Sequence, residues 1–249
     1  MTEPSSGVQA LTRGVDLLEA LADAGGEAGV SELAGRTGLA PGTIHRLVRT
    51  LLHAGYLRQL PSRRYALGPR LIRLGDSATR MLGRWATPTL TELVAAIGET
   101  ANLAVLDGDH AVYVAQVPSP HSVRVFAEIG RRVPVHCTGV GKALLSALPA
   151  AEAETLLART GLPAVTPSTV TDPDRMRAEL AATRERGYAT DDGEQEPGVR
   201  CVAVPVVGAH GAVALSVSGP EGRMDAAALR RAVPLVVAAG ERLRTALAA

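Results

Sequence analysis

A chain of 249 residues, 46% of them hydrophobic, with 26 basic and 25 acidic side chains, is long enough for two ordinary domains and can bury a core in each. No apolar run approaches the roughly 18 residues that a membrane span requires, and the opening MTEPSSGVQA lacks the regions of a secretion signal, so a soluble cytoplasmic protein is expected. Cys137 and Cys201 are the only cysteines, which excludes a disulfide framework, and no CxxC or HxxxH spacing offers a metal site; neither cofactor nor metal is expected.

Val8, Leu11, Val15, Leu18 and Ala22 recur at helical spacing and predict a first amphipathic helix, ended by Gly25-Gly26. Ser31 reads as the N-cap of a short second helix, SELAGRT, which Gly38 stops. Pro41 suits the first turn of a third helix running to about Ala54, with Gly55 beyond it. Two short helices joined by a glycine-containing turn form a helix-turn-helix. After it, YLRQ and RYALG flank the turn-forming LPSR, which predicts a hairpin, or wing.

In the third helix Ile44, Leu47, Val48, Leu51 and Leu52 share one face, leaving Thr43, His45, Arg46, Arg49, Thr50 and His53 on the other. From Arg36 to Gly75 there are eight arginines and no Asp or Glu, although the chain as a whole carries a net charge of only +1. A winged helix-turn-helix lays its second motif helix in the major groove. On that geometry Thr43, His45, Arg46, Arg49 and Thr50 point at bases or phosphates, and Arg63 and Arg64 at the wing tip reach the backbone or minor groove. Ser31 and Pro41, at the starts of the two motif helices, are counted with this surface.

Pro69 to about Leu82 reads as a connecting helix, with Leu71, Leu74, Ala78 and Leu82 along one side, followed by the boundary stretch GRWATP. A helix from about Pro88 to Ile97 precedes three predicted strands: ETANLAVLD, HAVYVAQV after a Gly108-Asp109 turn, and SVRVFAEI. TGVGKALLSAL, AAEAETLLART and DPDRMRAELAATRERG read as helices, RCVAVPVVG and AVALSVSG as strands, and Asp225 to Leu247 as a closing helix. This order predicts an α+β domain with a mainly antiparallel sheet.

Taken in order, ALTRGVDLLEAL, SELAGRTGLAPGTIHRLVRTLLHAGYL, RRYALGPRLIRLG, GRRVPVHCTGVGKALLSAL, RERGYATDDGEQEPGVRCVAVPV and ALSVSGP resemble transcriptional regulators of the IclR family, from Val8 to Leu247. The resemblance implies a winged helix-turn-helix at 8–68, a linker helix at 69–87 and a GAF-like effector and oligomerisation domain at 88–249. It also implies homodimers or homotetramers on palindromic double-stranded operators, switched by a small metabolite. A repressor answering to glyoxylate or an allantoin-pathway metabolite is the expected reading.

The residues give a second line towards that ligand. Gly139-Val140-Gly141-Lys142 is a poor phosphate loop, with His136 and Ala143 at positions that need Gly and Ser or Thr. It does open a helix, where Thr138 and free amides favour a carboxylate. Cys201 begins one late strand, Ser216 and Ser218 share a face of the next, and Asp191, Asp192 and Glu194 precede them. Small hydroxyls, a thiol and helix-end amides suit a small oxo acid or ureido compound. The resemblance puts effector contacts on Gly139, Val140, Asp191, Cys201, Ser216 and Ser218. Aromatic acids are the runner-up effector class, although one Phe and one Trp in the chain disfavour an aromatic-lined pocket for a large ring ligand. A small-molecule hydrolase or transferase with an appended DNA-binding module, using Cys201 and a remote histidine, stays open as the alternative.

Overall fold

The computed structural model describes residues 8–208 and 211–247, which fall into two compact units meeting between Ala78 and Thr79. In the first, α1 (Gln9–Asp23), α2 (Val30–Thr37) and α3 (Pro41–His53) pack around Leu17, Leu21, Leu33, Ile44 and Val48. Local chemistry sets most of the boundaries. Pro41 opens α3, and Gly38 and Gly55 take left-handed backbone angles, φ +68° and +77°, that end α2 and α3. The N-cap of α2 is Gly29 rather than Ser31, because Val30 already has helical geometry; Ser31 lies exposed in the first turn.

Two features depart from the sequence reading. Most of the apolar stripe of α1 faces outward: Val8, Leu11 and Val15 are 71%, 69% and 48% exposed and Leu18 packs half-buried against the core, while Gly14, Leu17, Ala20 and Leu21 are buried. The helix therefore has a second apolar face, and helical spacing alone does not tell which one the core takes. The wing strands β2 (Leu57–Gln59) and β3 (Tyr65–Leu67) are also joined by β1 (Glu27–Ala28), which makes a three-stranded sheet in the order β1-β3-β2. The connecting helix α4 (Arg70–Leu82) starts in this unit, and its Leu74 and Ala78 are exposed.

The second unit is built on a six-stranded antiparallel sheet in the order β6-β5-β4-β9-β8-β7, namely β4 (Thr100–Asp107), β5 (His110–Val117), β6 (Arg132–Pro134), β7 (Ala189–Asp192), β8 (Val199–Gly208) and β9 (Gly211–Pro220). One face carries α5 (Thr87–Ile97) and α9 (Ala226–Leu247) on Leu103, Val202, Val204, Leu215 and Val217. The other carries α6 (Gly139–Ala147), α7 (Ala150–Thr160) and α8 (Pro173–Arg186) on Ala104, Cys201, Ala203 and Ala214. Small residues on the second face bring α6 close. A Cβ on Gly139 would already lie 3.5 Å from that of Ala203, and one on Gly141 would fall 2.3 Å from the Val135 carbonyl oxygen in the segment leading into α6.

SVRVFAEI, expected as a strand, is loop. Its backbone is held singly rather than by a ladder: Thr100 Oγ1 donates to the Val125 carbonyl at 2.8 Å, and Arg223 Nη2 to that of Val123 at 2.8 Å. The third strand of that region is the shorter β6, and β7, absent from the sequence reading, closes the opposite edge.

Candidate DNA interface and ligand cavity

Helix α3 buries Ile44 and Val48 and exposes His45, Arg46, Arg49 and Thr50, with Thr43 half-buried. Thr50 Oγ1 donates back to the Arg46 carbonyl at 3.1 Å, which keeps its acceptor lone pairs outward. An open groove of about 390 Å³ runs between α3 and the wing, lined by His45, Arg46, Val48, Arg49, Leu52 and Tyr65. At the wing tip Arg63 is exposed with φ +62°, a left-handed conformation that disfavours side chains.

Arg64 behaves differently from expectation. Its Nε lies 3.2 Å from Glu27 Oε1 and its Nη2 3.1 Å from Glu32 Oε2, and Nη2 also donates to the Glu27 carbonyl at 3.2 Å. Arg36 likewise sits 3.6 Å from Glu32. The acid-free block in the sequence is thus partly neutralised in space, because the two carboxylates just upstream fold back over it. Arg46, Arg49, Arg58 and Arg63 keep side chains without an acidic partner among the described residues.

In the second unit the strand register aligns the polar residues. Asp191 opposes Cys201, Cys201 opposes Ser218 and Ser218 opposes Thr100; in the next row Ala203, Ser216 and Asn102 are opposed. Opposed residues of antiparallel strands share a face, so both rows lie beneath α6. Thr138 caps that helix, its Oγ1 accepting from the Gly141 amide at 3.1 Å. Gly139 then approaches the sheet so closely that a Cβ there would meet Cys201 Sγ at 2.7 Å.

Above the first row is a cavity of about 50 Å³. Of the residues named for the effector, Gly139, Asp191, Cys201 and Ser218 line it, and Val140 and Ser216 do not. The Val140 side chain enters the apolar core, and Ser216 lies one row deeper, with its hydroxyl buried. Tyr113, Val125, Phe126, Arg131 and Gln195 are also among its walls, and none of these was legible in the sequence. Phe126, the only phenylalanine, falls in a stretch that the sequence reads as strand, and Tyr113 reaches this face because β5 bulges at Val114, opposite the step from Leu103 to Ala104. A larger opening of about 450 Å³ between α7 and α8 is lined by Leu157, Leu162 and Met176 together with Glu154, Thr171 and Arg177.

Burial governs the chemistry of this cavity. It pushes the Asp191 carboxyl up to about 7, against the amides of Glu194 and Gln195 that donate to it, the first at 2.8 Å. It pushes the Cys137 and Cys201 thiols up to about 12 and raises the Tyr113 hydroxyl further still. Cys137 Sγ donates to Gln195 Oε1 at 3.0 Å. Neutral thiols of this kind are poor nucleophiles. Glu194 is gripped in turn by Lys142, the only lysine, which is buried in α6 with Nζ 2.6 Å from Glu194 Oε1 and 3.7 Å from Glu179. The residue that failed as a phosphate-loop lysine is an internal counter-ion.

Among the described residues, no helix is long and apolar enough to cross a membrane, and no group of three or more His, Cys, Asp or Glu could hold a metal ion. The family model for the IclR helix-turn-helix domain matches residues 10–61, and that for the bacterial transcriptional regulator IclR C-terminal domain matches 79–245. The chain belongs to the IclR family of transcriptional regulators. It is 40% identical over 231 residues to the transcriptional repressor IclR of Escherichia coli (strain K12), covering 90% of this chain and 84% of that one. It is 35% identical over 251 residues to the regulator BhcR of Paracoccus denitrificans, covering 99% and 90%. Among solved structures, an IclR homologue from Microbacterium hydrocarbonoxydans complexed with 4-hydroxybenzoate is 28% identical, with a TM-score of 0.82 over 96% of this chain and 99% of that one. Members of this family are DNA-binding regulators that include repressors, and the hydrolase or transferase alternative finds no support among them.

Proposed function

We propose that this IclR-family chain is a cytoplasmic repressor in which residues 8–68 bind a palindromic operator, 69–87 link, and 88–249 hold a small-molecule effector and join two or four copies. The observation that carries the reading is the pair Arg46 and Arg49, exposed beside the groove between α3 and the wing with no acidic partner among the described residues. With them we place Ser31, Pro41, Thr43, His45, Thr50 and Arg63 at the DNA; Arg64 supports the wing from behind through Glu27 and Glu32. That Arg63 keeps a left-handed backbone at about 1–2 kcal/mol agrees with a tip residue selected for its side chain.

Gly139, Val140, Asp191, Cys201, Ser216 and Ser218 are proposed for the effector, with Val140 offering its backbone amide and Ser216 supporting from the deeper row. The small cavity favours a short oxo acid such as glyoxylate, or a ureido compound. The outward apolar stripe of α1 favours pairing of two copies, which a two-fold operator requires. Effector binding then has to favour one geometry of the two recognition helices over another.

The test is anisotropy titration of a fragment of the protein's own promoter. Arg46→Ala should weaken binding by about 1–3 kcal/mol and lower the salt slope by about one, and unchanged binding would remove Arg46 from the interface. A thermal-shift panel of short oxo acids, ureido compounds and 4-hydroxybenzoate tests the cavity, with Ser218→Ala expected to abolish the response.

A further inference from the structure

Arg70 belongs to the basic block by sequence, and its exposed side chain is engaged within the protein. Its Nη1 donates to the Ala54 carbonyl at 2.8 Å, at the C-cap of α3, and its guanidinium stands over the Tyr56 ring, 5.6 Å from the centroid. A helix C-terminus leaves carbonyls unpaired and carries partial negative charge, so a cation there is favoured. The same cation sits in the first turn of α4, where the helix dipole opposes it. What holds it is therefore the end of α3.

The backbone around this contact is closely fitted. Gly68, two residues before Arg70, donates its N–H to the Tyr56 carbonyl at 2.7 Å. A Cβ on Gly68 would lie 2.4 Å from the Gly55 oxygen and 2.9 Å from the Leu57 nitrogen, and one on Gly55 would touch Arg70 Cδ at 3.6 Å. The end of the recognition helix and the start of the connecting helix form one corner, and α4 is the helix that crosses between the two compact units.

We propose that Arg70 is a positioning residue, which locks the tilt of α3 to that of α4 so that the connecting helix sets the spacing of two recognition helices on a two-fold operator. The proposal rests on the two-copy reading given above. A positioning role and a phosphate contact differ in what they change. A phosphate contact acts at every half-site and contributes to the salt slope, whereas a lost corner leaves each half-site intact and impairs simultaneous engagement of both.

The test titrates the full-length protein against two duplexes of equal length, the footprinted operator and the same duplex with one half-site scrambled. Arg70→Met keeps the aliphatic stem and loses the donor; Arg70→Lys keeps a donor. Arg70→Met should weaken binding to the intact operator about tenfold, the scale of one charged hydrogen bond, with binding to the scrambled duplex within about twofold of wild type and the salt slope unchanged. Arg70→Lys should recover most of the loss. Equal losses on both duplexes with a salt slope lower by about one would make Arg70 a phosphate contact and overturn the proposal, as would no loss on either. A wild-type protein that does not prefer the intact operator would overturn both the two-copy reading and this one.

Discussion

Lys142 Nζ lies 2.6 Å from Glu194 Oε1, with the lysine side chain 2% and the glutamate 10% exposed. Removing one partner of a buried pair leaves the other charge uncompensated, which typically costs about 3–5 kcal/mol. Lys142→Met should therefore destabilise the second unit by about that amount, and Lys142→Met with Glu194→Gln should recover much of it. Urea unfolding of the single and double variants measures the coupling. A double variant no more stable than the sum of its parts would mean that the two side chains act independently.

Asp191 should make stability fall as pH rises. The unfolded carboxyl ionises near 3.8 and the folded one near 7, because burial opposes the charge. Below about pH 4 both states hold the proton and there is no penalty. Between there and pH 7 only the unfolded chain releases it, so the native state loses ground, and above 7 the loss is complete at roughly 4 kcal/mol. Asp191→Asn does not titrate and keeps an oxygen for the Glu194 amide. Its stability relative to wild type should rise from pH 4 to pH 8, by chemical denaturation; a gap that stays flat would contradict a buried, solvent-poor carboxyl.

Gly139→Ala should disturb the cavity through one atom. The new methyl would meet Cys201 Sγ at 2.7 Å but the Cys201 Cβ at 3.4 Å, so the clash is chiefly with sulfur. Overpacking of this kind costs about 1–3 kcal/mol. Adding Cys201→Ala should restore much of that stability, read from thermal melts. Failure of the double variant to recover would show that the helix backbone, rather than the thiol, resists the methyl.

Arg63→Ala and Arg64→Ala should separate. Arg63 has no acidic partner among the described residues, so its loss should weaken promoter binding with little change in melting temperature. Arg64 is spent on Glu27 and Glu32 with its side chain 39% exposed, and such pairs contribute about 0–1 kcal/mol. Its loss should slightly loosen the wing and affect binding less than Arg63→Ala. The reverse order in anisotropy titrations would place Arg64 on the DNA.

What the sequence made legible was written in adjacent residues. Gly38, Pro41 and Gly55 punctuate α2 and α3 through backbone conformations that the residue types themselves dictate. The Gly108-Asp109 turn between β4 and β5 is of the same kind. What was hidden depends on pairing at a distance. No local pattern says that Glu27 and Glu32 return to Arg64, or that a two-residue β1 completes the wing sheet. In the cavity, Gly139, Asp191, Cys201 and Ser218 followed from small polar residues and a family likeness. Tyr113 and Phe126 reach it only through a strand irregularity and a loop that mimics strand alternation.

The row Asp191, Cys201, Ser218 and Thr100 is held in line by three successive strand pairings. Adding or deleting a single residue within β8 or β9 would rotate every later side chain of that strand to the opposite face, putting valines in the cavity and polar groups against α9. Exchanging one side chain of that row alters the cavity at a single point, whereas changing the length of a strand turns the whole row away from it.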